Sequence, residues 1–121
     1  MFRLKIICRA GGTRVALVTF GTNAELEFNL GDARVSTLEE TSKAIDDVRY
    51  REVATDTAIA LELVQIAVAP MARRGSHKAM MLITDGKSNI GGSPKEIAKE
   101  LQEIYGFEIY AVGNTLVHLL P

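Results

Sequence analysis

The chain has 121 residues, 47% apolar and 24% charged, which suits one domain with a single core. Fourteen Lys and Arg stand against fifteen Asp and Glu, and a net charge of -1 gives no electrostatic case for nucleic acid or an anionic membrane. No apolar stretch approaches the roughly 20 residues that span a bilayer, and the one cysteine, Cys8, excludes an internal disulfide.

Residues 2 to 9 are ambiguous: Phe2, Ile6 and Ala10 fit a helical face, yet "LKIIC" also reads as a strand. The opening apolar run is too short for a signal peptide's core. After Gly11 and Gly12, "RVALVTF" (14 to 20) is β-branched and nearly continuously apolar, which predicts a buried strand. "GTN" is a turn, and "AELEFNL" (24 to 30) alternates, so it predicts a half-exposed partner strand closing a hairpin. Ser36 and Glu39 have the spacing of a capping box for a helix with Leu38, Ile45 and Val48 on one face. From Asp56 to about Val68 the chain is apolar on almost every side, which predicts a buried helix ended by Pro70. Thr57 reads as its cap and Asp56 as a first-turn acid.

"KAMMLITD" (78 to 85) predicts a second buried strand. Ser93, Pro94 and Glu96 open a helix striped by Ile97, Leu101 and Ile104, with Gly106 at its C-terminal cap. "FEIYAV" (107 to 112) is the last strand, and the tail "NTLVHLLP" matches no element. Strands alternating with helices place the chain among α/β folds. Arg73, Arg74, His77 and Lys78 form a small basic cluster that a solvated loop explains, and neither His77 nor His118 has a partner at metal-ligand spacing.

The chemistry concentrates in "MMLITDGKSNIGGSP", 80 to 94, where Asp85 ends a strand beside a glycine-rich loop. In an open parallel sheet, ligands gather outside the carboxyl ends of strands. "GKS" at 86 to 88 has the tail of a phosphate-binding loop, but the required upstream glycine is replaced by Met81. Two readings stay open for Asp85: a turn stabilised by its own side chain, or an oxygen ligand for a hard cation. No Ser-His-Asp or paired-carboxylate arrangement for catalysis can be assembled, so the chain is expected not to be an enzyme.

"RVALVTFG", "ATDTAIAL", "MMLITDGKSNIGGSPKEIAKEL" and "FEIYAVG" together resemble the von Willebrand factor type A domain, in the family's order and approximate spacing, over roughly residues 13 to 113. The strand ending in TDG, followed by a Gly-Gly-Ser-Pro helix start, is the specific part. Its wording is similar to the domains of complement factor B and its relatives and of matrix and adhesion proteins. The resemblance implies a three-layer α/β fold, a mostly parallel sheet with helices on both faces, with "AELEFNL" as an antiparallel edge. It also implies a metal-ion-dependent adhesion site in which Mg2+ takes a carboxylate from a protein partner with an exposed acidic residue. Carried over by matching motifs, Thr55 and Asp85 would be metal ligands, with Gly86, Lys87, Ser88 and Asn89 in the ligand-binding loop. An extracellular location, in a protein of adhesion or complement type, follows from the same resemblance. So do two alternatives, the regulatory type A region of a complement-like serine protease and a structural domain with no active metal site.

Two departures carry expectations of their own. Ala54 stands where the family has Gly before the loop threonine. No Asp-x-Ser-x-Ser motif, which the family uses for three further metal-shell residues, occurs in the sequence. The expectation is a single, incomplete type A domain, truncated at both ends and lacking the first central strand. The sheet should then either carry a gap between 14 to 20 and 79 to 84 or close in a way foreign to the family, with those two strands paired directly, and magnesium should bind weakly.

Overall fold

A computed structural model describes residues 12–49, 56–83 and 92–112. Strand β1 (Leu17–Phe20) pairs antiparallel with β2 (Ala24–Phe28), and β3 (Lys78–Ile83) pairs in parallel with β4 (Phe107–Val112). Helix α1 (Leu38–Asp46) follows the hairpin, α2 (Thr57–Leu63) precedes β3, and α3 (Pro94–Glu103) joins β3 to β4.

The hairpin forms as its sequence predicts, with Ala24, Leu26 and Phe28 turned inward and Glu25 and Glu27 exposed. Its strands are shorter than expected. β1 begins at Leu17, is half-buried throughout, and has a register irregularity between Leu17 and Val18. β2 stops at Phe28 because Asn29 turns to other partners: its Nδ2 donates to the Ala67 carbonyl at 2.9 Å and its Oδ1 accepts from Leu30 N–H at 2.8 Å. Gly31, at φ 81°, then takes a left-handed conformation that side chains resist.

The capping box lies one residue later than the sequence spacing suggests. Thr37 is the N-cap of α1, accepting from Glu40 N–H at 3.2 Å, while Glu40 accepts from Thr37 N–H at 3.1 Å. Ser36 adds its backbone N–H and its hydroxyl as donors to the same carboxylate. These donors hold the Glu40 carboxyl below its usual range, with the Ser36 hydroxyl as the main cause. The frame shift also changes the helix face: Thr41 is buried, its hydroxyl bonded to the Thr37 carbonyl, whereas Leu38 is 47% exposed.

The expected long helix over 56–68 splits into two windings, α2 and a π-helical stretch over Val64–Val68, and a 3-10 turn over Ala69–Met71 follows. Pro70 lies inside that turn instead of ending the helix. It has no N–H, and its ring crowds the carbonyl four residues back, Ile66, so the ladder widens before it. Nor is the segment buried on all sides, since Ile66 is 72% exposed.

The core cluster joins Leu61 of α2, Leu82 of β3, Ala98 and Leu101 of α3, and Phe107 and Ile109 of β4, with Phe20 of β1 packed against it. α2 touches β1, β2 and α3, and its Leu61 joins the cluster built on β3 and β4. α3 begins at its expected cap, Ser93, with Pro94 first in the helix, and Gly106 at φ 74° lets the chain reverse into β4. β3 is not fully buried: Ala79, Met81 and Ile83 point away from the core and are exposed, beside Tyr110 and Val112 of β4. Among the described residues, β1 and β3 share no ladder, and the strands form two separate two-stranded sheets.

Candidate functional site

The six residues singled out from the sequence, Thr55, Asp85, Gly86, Lys87, Ser88 and Asn89, lie outside the described residues, as does the expected contact between Thr55 and Asp85. The frame that carries them is described.

On one side, Asp56 follows Thr55 directly. Its N–H donates to the Gly21 carbonyl at 2.9 Å, tying the start of α2 to the turn at the carboxyl end of β1. Its carboxylate accepts from Ile59 N–H at 3.1 Å and is the N-cap of α2. The cap is therefore Asp56 and not Thr57, which is the first helical residue and completely buried. The sequence held a signal for this, an Asp three residues before Ile59, and the threonine beside it drew the assignment away.

On the other side, residues 84–91 follow Ile83, the last residue of β3, and lead to Ser93, whose Oγ accepts from Lys95 N–H at 3.4 Å as α3 starts. The relative direction of β1 and β3 follows from the opposite end. Arg73, ahead of β3, donates from its guanidinium to the carbonyl of Gly12, ahead of β1, at 2.6 Å. Phe20, at the far end of β1, packs on the cluster that contains Leu82, near the far end of β3. The two strands thus run in the same sense, and their carboxyl ends lie on one side of the molecule. This is the side on which open parallel sheets bind ligands.

Titratable groups elsewhere are tuned by local pairing. Arg34 binds Asp32 through two nitrogens, at 3.1 and 2.7 Å, and lowers its carboxyl pKa to about 2. Glu108 accepts from the Tyr110 hydroxyl at 2.7 Å, which raises the Tyr110 pKa, and lies 3.2 Å from His77 Nε2. His77 therefore has one carboxylate beside it, but among the described residues no three His, Cys, Asp or Glu side chains are grouped to hold a metal. Nor is any described helix long and apolar enough to cross a membrane.

The family model of the von Willebrand factor type A domain matches residues 3–118. Complement C2 of Bos taurus is 29% identical over 87% of this chain, and cuticlin-6 of Caenorhabditis elegans is 32% identical over 86%. A protein of Rattus norvegicus with sushi, von Willebrand factor type A, EGF and pentraxin domains is 35% identical over 84%. The chain spans 17% of the length of the first two and 3% of the third. Among solved structures, proximal thread matrix protein 1 of the mussel byssus superposes with a TM-score of 0.78 at 27% identity, over 86% of this chain and 27% of that one. A second structure of that protein, described as having a zinc-occupied MIDAS motif, gives 0.76 at 33% identity, over 84% of this chain and 25% of that one. The order of its strands and helices, the frame at the carboxyl ends of β1 and β3 and the match over residues 3–118 agree: this chain belongs to the von Willebrand factor type A domain family.

Proposed function

We propose that this chain is a protein-binding module of adhesion or complement type, working outside the cell, whose site lies at the carboxyl ends of β1 and β3. The observation that carries this reading is the bond from Asp56 N–H to the Gly21 carbonyl, which fixes the neighbour of Thr55 at that end. The zinc-occupied motif of a structural neighbour and the relatives' complement and matrix names support a divalent-metal site in a binding protein. In this chain Thr55 and Asp85 are the ligands proposed, with Gly86, Lys87, Ser88 and Asn89 forming the rim that meets the partner.

A hydroxyl and a carboxylate fit a hard cation such as Mg2+ in kind but not in number. Magnesium favours octahedral oxygen coordination and gives up water reluctantly, so two protein oxygens hold it weakly. The chain's own contribution is to place a carboxylate and a hydroxyl on short loops and to present a polar rim to an acidic side chain of the partner. That is binding and not turnover.

Calorimetric titration of the full chain with Mg2+ and with Zn2+ tests this. The expected result is millimolar or weaker Mg2+ binding, lost on Asp85→Ala and weakened by Thr55→Ala. Micromolar binding that survives Asp85→Ala would remove Asp85 from the site. The similarity to complement C2 favours a second reading, the regulatory type A region of a protease. A transcript in which no protease domain accompanies this segment would exclude it.

A further inference from the structure

The net charge of -1 conceals a segregation of charge. Residues 1–24 contain four basic residues and no acid, and residues 63–84 contain three basic residues and no acid. Half of the fourteen Lys and Arg therefore lie in two acid-free stretches. The fold brings the described part of the first stretch, from Gly12, to the second at the amino-terminal ends of β1 and β3, where the Arg73 guanidinium holds the Gly12 carbonyl. Arg14 is two residues from one partner of that bond, and Arg74 is next to the other. Both are exposed, and the half-buried Lys78 opens β3 beside them.

The acids at this end are already engaged. Asp32 is bound through two bonds by Arg34, and Glu108 faces His77. Arg14, Arg74 and Lys78 form no ion pair among the described residues. The Arg14 guanidinium lies over Gly31, 3.4 Å from where a Cβ would stand, at a cavity of about 330 Å³ lined also by Gly12 and Thr13. Arg14 thus stands at the cleft, and Arg74 and Lys78, whose ammonium donates to the Ser76 carbonyl at 3.3 Å, lie on the segment that Arg73 ties to it; together they make a positive rim.

We propose that this rim binds a sulfated polysaccharide, with Arg14, Arg74 and Lys78 as the principal charges and Arg73 as the residue that holds the two stretches together. The choice of polysaccharide over nucleic acid rests on the extracellular placement under the proposed function. The physical basis is counterion release. A polyanion that gives up condensed cations to fixed Lys and Arg binds with an affinity that falls steeply with salt. The rim lies at the amino-terminal ends of β1 and β3, away from Ile83 at the end of β3, so its binding needs no divalent metal.

Retention of the full chain on immobilised heparin, eluted by a salt gradient with and without EDTA, tests the proposal. Retention at physiological salt, unchanged by EDTA, is expected. In the Arg14→Gln/Arg74→Gln variant, elution should move to lower salt, and the slope of log affinity against log salt should fall by about 1.5–2, near one per charge removed. The Lys95→Gln/Lys99→Gln variant, which removes two charges from exposed positions of α3, should elute like the parent. Passage of the parent chain through heparin at physiological salt overturns the proposal. So does an equal loss in the α3 variant, or tighter retention on single-stranded DNA than on heparin. Loss of retention in EDTA would move the binding to the metal-site reading instead. A failed magnesium titration with intact heparin retention would leave the rim standing.

Discussion

Asp56 makes two contacts that pull in different directions along the chain. Its carboxylate caps α2 at Ile59 N–H, and its own N–H reaches back to Gly21. Only the first depends on the side chain. Asp56→Ala should therefore cost about 1 kcal/mol, the usual loss of a good N-cap, with Asp56→Asn recovering most of it. The check is a lower denaturation midpoint at unchanged slope. Glu40 and Asp32 respond to acid in a definite sense. Both carboxyls are held below their ordinary values, Asp32 at about 2 by Arg34 and Glu40 by the Ser36 and Thr37 donors. Each stabilises the fold above its unfolded pKa, and that contribution is lost as pH falls through the folded one. Stability should decline first below the ordinary carboxylate value of 4.5 as Glu40 protonates, and Asp32 should follow from 3.8 down toward about 2. In Glu40→Gln the earlier part of that decline should flatten; an unchanged acid limb by circular dichroism would mean that the capping box is not formed in solution.

Among the elements, α3 contributes the most completely buried apolar side chain, Leu101, at 0% exposure in the cluster with Leu61, Leu82, Phe107 and Ile109. Leu101→Ala should cost about 2–5 kcal/mol, a large part of the about 5–15 kcal/mol typical of a domain. Urea denaturation measures it, and a loss below about 1 kcal/mol would argue against this packing. The same helix shows what local sequence encodes. Ser93, Pro94 and Gly106 each have a conformational preference that acts without tertiary help, and all three took the expected places. Where two neighbours offered the same chemistry, Ser36 against Thr37 or Thr57 against Asp56, local rules allowed either, and packing chose. Strand burial was overestimated because apolar residues on both faces of β3 do not say whether both faces are covered: Met81 and Ile83 are exposed. The family likeness was readable in short motifs, whereas the proposed ligands Thr55 and Asp85 rest on those motifs alone, since they fall outside the described residues.

At the scale of the molecule, α2 packs on the hairpin directly and reaches the β3–β4 pair through α3 and the core cluster. Leu61, 1% exposed, carries that link into the β3–β4 cluster. Leu61→Ala should do more than lower stability by about 2–5 kcal/mol. Amide exchange should show the hairpin opening at a lower free energy than β3 and β4, so that one cooperative unit becomes two. Equal protection losses in both halves would show that other contacts couple them. The shared helix also has a mechanical meaning. An uninterrupted sheet resists stretching through rows of backbone hydrogen bonds loaded together in shear. Here, among the described residues, no such row links β1 to β3, and tension from one strand pair to the other passes through side-chain packing, that of α2 and of Phe20, and through contacts such as the Arg73–Gly12 bond. Under a pull across the molecule the two halves should slide apart by repacking around α2 before either ladder breaks, which would make this domain a compliant link in any assembly that bears load.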